Sequence, residues 1–141
     1  MIDIAECKAN ELKVDNVEYN CITLFDKTLE KEPFDVILAF NILHFFKNTK
    51  EVIQRINDLL KPNGIVIIAA DCLGQWSFSN VLQRFFFTPL IWIGIIPYMK
   101  FFKILELNRI LGKSSFQIMF QEQSSKSTNN FIVAKKTINV I

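Results

Sequence analysis

Two apolar runs of strand length, Phe34-Asp35-Val36-Ile37-Leu38-Ala39-Phe40 and Ile65-Val66-Ile67-Ile68-Ala69-Ala70, bracket a stretch with helical periodicity. Neither run alternates between apolar and polar residues, which is the pattern of a strand buried on both faces of a parallel sheet. Between them Val52, Ile53, Ile56, Leu59 and Leu60 fall on one helical face, and Asn48 and Glu51 have capping-box spacing where that helix should start. Lys61-Pro62-Asn63-Gly64 predicts its stop. The pattern is one βαβ unit. Asn41-Ile42-Leu43-His44 lies just past the carboxyl end of the first strand, where open α/β sheets bind their ligands.

The same reading extends along the chain. Residues 5–13 predict a short helix, and residues 26–33 a charged loop. Residues 75–102 form a strongly apolar, proline-punctuated insertion. Residues 104–111 read as a helix closed by Gly112, and residues 116–120 and 131–134 as two final strands separated by a polar loop. No internal repeat or long linker appears, so residues 1–141 are expected to form a single domain.

Two blocks carry a family resemblance: Phe34-Asp35-Val36-Ile37-Leu38-Ala39-Phe40-Asn41-Ile42-Leu43-His44 and Leu59-Leu60-Lys61-Pro62-Asn63-Gly64-Ile65-Val66-Ile67. They resemble the C-terminal two-thirds of class I S-adenosylmethionine-dependent methyltransferases, most closely bacterial enzymes acting on small molecules. The likeness continues through Cys72-Leu73-Gly74 and Pro97-Tyr98-Met99-Lys100-Phe101-Phe102 to Asn130-Phe131-Ile132-Val133-Ala134-Lys135-Lys136. It implies an α/β fold with a Rossmann-like sheet, its last two strands antiparallel, and a helical apolar insertion after the fifth strand. Met1-Ile2-Asp3-Ile4-Ala5-Glu6 resembles the family's second strand and residues 17–23 its third. The glycine-rich turn after the family's first strand has no counterpart, since Gly64, Gly74, Gly94 and Gly112 are too far apart. The resemblance therefore implies a chain that starts inside the domain, without the first strand and first helix. Unpaired sheet edges are then expected to favour self-association.

Composition narrows the function classes. A hydrophobic fraction of 50% over 141 residues supports a sizeable core. A formal charge of +2 with scattered Lys and Arg gives no reason to expect a nucleic-acid partner. With one histidine no conventional zinc site, and no metal, is expected. Cys7, Cys21 and Cys72 lack CxxC spacing and read as free thiols, and no basic segment leads an apolar run at the amino end. A cytoplasmic location is the expectation.

The resemblance also implies site residues. Asp3, with its neighbour Ile4, would stand at the end of the second strand, where an acidic residue accepts hydrogen bonds from both cofactor ribose hydroxyls. A helix N-cap needs the same residue type, so that alternative stays open for Asp3. Asp26, with Lys27, follows the third strand where the family often places an aspartate near the adenine amino group; an ordinary loop aspartate is the alternative. Asn41 would form pocket wall at the methionine end of the cofactor. His44 has a pKa suited to removing an acceptor proton, although Leu43, Phe45 and Phe46 equally suit a packed structural histidine.

The implied reaction is methyl transfer from S-adenosylmethionine to a small-molecule acceptor, impaired in a chain lacking the glycine turn. Residues 75–102 would be a lid over the acceptor pocket, implying an apolar or aromatic acceptor. Residues 85–99 lack charge but are shorter than the roughly 20 residues a spanning helix needs, so a lid, peripheral membrane contact and plain core packing all stay open. The competing reading is a non-catalytic methyltransferase remnant that acts through this insertion on a protein or membrane surface.

Overall fold

The computed structural model describes residues 2–31, 33–71, 103–123 and 129–137. In chain order these form helix α1 (Ile2–Glu11), strand β1 (Phe34–Phe40), helix α2 (Thr49–Leu59), strand β2 (Leu60–Asp71), helix α3 (Ile104–Lys113), strand β3 (Phe116–Gln123) and strand β4 (Asn129–Lys136). Short 3₁₀ turns occupy Lys27–Glu30 and Leu43–Phe45. The four strands make one sheet in the order β1-β2-β4-β3. β1 and β2 run parallel, as the helical crossover between them requires, and β4 is antiparallel to both β2 and β3.

The βαβ unit forms as the pattern predicts. Asn48 caps α2: its side-chain oxygen accepts from the Glu51 amide at 3.4 Å, and its side-chain amide donates to the Glu51 carboxylate at 3.0 Å. Val52, Ile53 and Ile56 of α2 then join Leu107 and Leu111 of α3 against Val66, Ile68 and Ala70 of β2 and Ile132 and Ala134 of β4. All ten are at most 2% exposed, which places the core between the two helices and one face of the sheet.

The other face is bare among the described residues. Val36, Leu38 and Phe40 of β1 are 48%, 58% and 53% exposed, and Phe120 and Phe131 of the far strands are also exposed. Register puts them together, with Val36 opposite Ile65, Leu38 opposite Ile67, and Phe40 opposite Ala69. The expectation that β1 is buried on both faces is thus met on one face only, because no described element packs on the second. β1 is also the outer strand, the edge on which self-association was expected.

The turn between α2 and the paired part of β2 is tightly built. Phe34 pairs with Leu60 but Val36 pairs with Ile65, so residues 61–64 bulge out of register. Asn63 takes a left-handed φ of 66°, which Asn tolerates better than most residues. A Cβ on Gly64 would lie 2.9 Å from the Lys61 carbonyl oxygen and 3.2 Å from that of Asp35, so only glycine fits.

The far end of the sheet ties the two helices together. Lys136 Nζ donates to the carbonyls of Asn57 and Leu60 at 2.7 and 2.9 Å, satisfying the C-terminal end of α2 with a cation. The Asn57 side-chain amide donates to the Ser114 carbonyl at 2.9 Å, at the end of α3.

Three expectations are corrected. Residues 2–6, expected as a strand, are the start of α1; Ala5, Lys8, Ala9 and Glu11 are good helix formers, and Asp3 in the first turn suits the helix dipole. Residues 17–23 form no strand: no described strand lies beyond β1 to pair with them, and Val17 and Ile22 are exposed. Helix α3 does not close at Gly112 but runs through it to Lys113, and Ser115 takes the left-handed position beyond the cap, with φ 57°. The lid expected at 75–102 and the membrane-contact stretch at 85–99 lie outside the described residues. No described helix is long and apolar enough to cross a membrane.

Candidate functional site

Asn41 closes β1. It has a left-handed φ of 50°, and its amide donates to the Ala69 carbonyl at 2.8 Å, so the chain turns sharply across the carboxyl end of the parallel pair. The side chain is exposed. Leu43, two residues on, is fully buried in the core and anchors the 3₁₀ turn that follows. His44 sits in that turn, half-buried, its ring centroid 4.1 Å from that of Phe45. Both residues therefore stand where an open α/β sheet presents its crevice.

Asp26 begins a second group. Its Oδ1 accepts from the Thr28 amide at 2.8 Å and from the Thr28 hydroxyl at 2.7 Å, capping the Lys27–Glu30 turn. Those Thr28 bonds, side chain first and backbone second, hold the Asp26 carboxyl below its ordinary pKa of 3.8. The carboxylate stays charged, and Oδ2 takes no part in the Thr28 bonds, so it can accept from another donor. Lys27 beside it is exposed.

The loop bearing Asp26 is held to α2 by a residue the sequence did not single out. Arg55 donates from Nε to the Leu24 carbonyl at 3.2 Å and from Nη2 to the Asp26 carbonyl at 3.0 Å, while Nη1 pairs with the Glu30 carboxylate at 2.7 Å. Its side chain is 15% exposed. An open depression of about 500 Å³ runs alongside, lined by Phe25, Asn48, Gln54, Arg55 and Asp58 among others. It touches neither Asn41 nor His44, so its size does not make it the ligand crevice. No sequence signal separates Arg55 from the other polar positions of an amphipathic helix; the loop it clamps lies 25 to 31 positions away.

Asp3 and Ile4 are not at a strand's carboxyl end, the place the ribose reading assigned them. Both lie in α1, where Ile4 is 63% exposed. The structure thus brings Asn41 and His44 to one sheet end and fixes Asp26 and Lys27 in a clamped loop, while Asp3 and Ile4 stand in a separate helix.

Comparison with known proteins gives this geometry a context. Residues 2–66 match the model of a methyltransferase domain. The ubiquinone biosynthesis O-methyltransferase of Bartonella tribocorum is 25% identical over 122 residues, covering 84% of this chain and 48% of the relative. An uncharacterized Rickettsia prowazekii protein is 24% identical over 85 residues, covering 59% of this chain and 34% of its own length. The chain thus spans a third to a half of the length of these curated relatives. A putative methyltransferase from Bacillus halodurans has a similar fold with a TM-score of 0.73 at 10% identity, covering 97% of this chain and 79% of that one. A SAM-dependent methyltransferase from Methanosarcina mazei gives 0.70 at 15% identity, covering 98% and 78%.

Proposed function

We propose that this chain is part of a class I methyltransferase domain and serves S-adenosylmethionine-dependent methyl transfer to a small, apolar or aromatic acceptor. The observation that carries the reading is Asn41, whose left-handed turn crosses the carboxyl end of the parallel β1–β2 pair. The name of the Bartonella relative favours an oxygen as the accepting atom, and the apolar residues 85–99 favour an apolar molecule.

The residues present suit the cofactor at its adenine end. Asp26 Oδ2 is an acceptor for the adenine amino group, held ionised and in place by Thr28. Lys27 lies beside it, and Asn41 offers backbone to the methionine end. S-adenosylmethionine, when bound, supplies an electrophilic methyl carbon on a sulfonium. What the chain contributes is placement, because an in-line displacement depends chiefly on alignment. His44, at the same sheet end as Asn41, is the group proposed to take the acceptor's proton.

The test is calorimetric titration of the 141-residue chain with S-adenosylhomocysteine. Asp26→Ala should weaken binding about tenfold or more, since a hydrogen bond to a charged group contributes roughly 1.5–3 kcal/mol. Asp3→Ala in the same titration probes the ribose contact separately: a comparable loss supports it, and unchanged affinity removes Asp3 from the site. Failure of the parent chain to bind at all would sink the reading.

A further inference from the structure

We propose that Arg55 is a positioning residue for adenine recognition: from α2 it fixes the backbone of residues 24–30 and so aims the Asp26 carboxylate. The inference rests on the reading above but concerns a residue that the family resemblance did not mark. Three observations carry it. The guanidinium uses Nε and Nη2 on two backbone carbonyls of the loop, Leu24 and Asp26, so it grips the main chain rather than a movable side chain. One of the two carbonyls belongs to Asp26 itself, within one residue of the carboxylate to be aimed. The third donor, Nη1, closes on Glu30 at the far end of the 3₁₀ turn that Asp26 caps.

The grip is geometrically rigid. A guanidinium presents its donors as a planar fork, so satisfying two carbonyls and a carboxylate at once leaves the loop little freedom to slide along α2. Leu24 packs against the core beside the first carbonyl, which fixes that side of the loop as well. At the other end Thr28 takes Asp26 Oδ1, and Oδ2 stays outside both of those bonds. Arg55 acts here through geometry, not charge: the depressed Asp26 pKa is owed to Thr28.

The experiment separates aiming from mere loop stability by using two ligands that differ at one position of the base. S-adenosylhomocysteine carries the exocyclic amine, and S-inosylhomocysteine carries a carbonyl oxygen in its place. The 141-residue chain is titrated with both by NMR, alongside Arg55→Lys, Arg55→Ala, Glu30→Gln and Asp26→Ala. The parent should prefer the amino ligand by about tenfold. Arg55→Ala should reduce the preference below about twofold, as Asp26→Ala should. Arg55→Lys keeps the charge but loses the fork, so it should rescue folding and not the preference. Glu30→Gln keeps both backbone bonds and should retain most of it. Circular dichroism identifies any variant that fails to fold, in which case Arg55→Lys decides. Equal loss of both ligands, with the preference intact, would make Arg55 a structural clamp only and overturn the inference. A parent that binds neither ligand would defeat the functional reading itself, and this inference with it.

Discussion

Gly64→Ala is the sharpest test of the turn that joins α2 to the sheet. The added Cβ would meet the Lys61 carbonyl oxygen at 2.9 Å, Leu60 Cδ2 at 3.0 Å and the Asp35 carbonyl oxygen at 3.2 Å. Leucine can rotate away, but the two oxygens belong to the backbone of β1 and of the bulge in β2, so relief requires the strands to separate. Overpacking of this kind costs about 1–3 kcal/mol. Against it stands the gain of up to about 1 kcal/mol from stiffening the unfolded chain. The net expectation is a loss of about 1–2 kcal/mol. Gly112→Ala is the matched control, because nothing lies within 4 Å of its added Cβ and the position is helical. There alanine should gain about 0.5–1 kcal/mol. Urea unfolding followed by far-ultraviolet circular dichroism reads both. With a slope of about 2 kcal/mol per molar, Gly64→Ala should lower the midpoint by roughly 0.5–1 M, and Gly112→Ala should raise it by a few tenths. A Gly64→Ala midpoint at or above the parent's would refute the account of the turn.

Two further outcomes are expected. Lys136→Met keeps the length of the side chain but leaves the Asn57 and Leu60 carbonyls without their shared donor, so it should cost about 1–3 kcal/mol in the same urea assay; an unchanged midpoint would mean water replaces the ammonium freely. The 141-residue chain is expected to self-associate through β1, and Leu38→Lys, which places a charge among the exposed apolar residues of that edge strand, should shift sedimentation towards monomer; a parent that is already monodisperse and monomeric would end that expectation.

The legible parts of the fold were those governed by local pattern. The run from Phe34 to Phe40 has the observed strand bounds, and Asn48 and Glu51 cap α2 as their spacing predicts. Residues 2–6 misled because their strand reading rested on the family resemblance, whereas Ala5, Lys8, Ala9 and Glu11 locally favour the helix that forms. The end of α3 misled because glycine is the usual left-handed terminator, yet Ser115 fills that role and Gly112 stays helical. At the candidate site, Asn41 was legible from its place after an apolar run. Arg55 was not, since two of its three partners are backbone carbonyls that carry no residue code; nor, elsewhere in the fold, was Lys136, whose carbonyl partners lie 76 and 79 positions away.

The strand order has a kinetic consequence. β1, α2 and β2 form one unit from consecutive residues, and β3 and β4 form another as an antiparallel pair. Each can nucleate from contacts close in sequence, at little cost in chain entropy. The strand ladders of the two units join along β2 and β4, where Ile65 to Asp71 pair with Asn129 to Lys135. Closing that seam must restrain the whole intervening segment, α3 included, before its hydrogen bonds return anything. The slow step of refolding is therefore expected to be the zipping of β4 onto β2, with the two halves already shaped and waiting for each other.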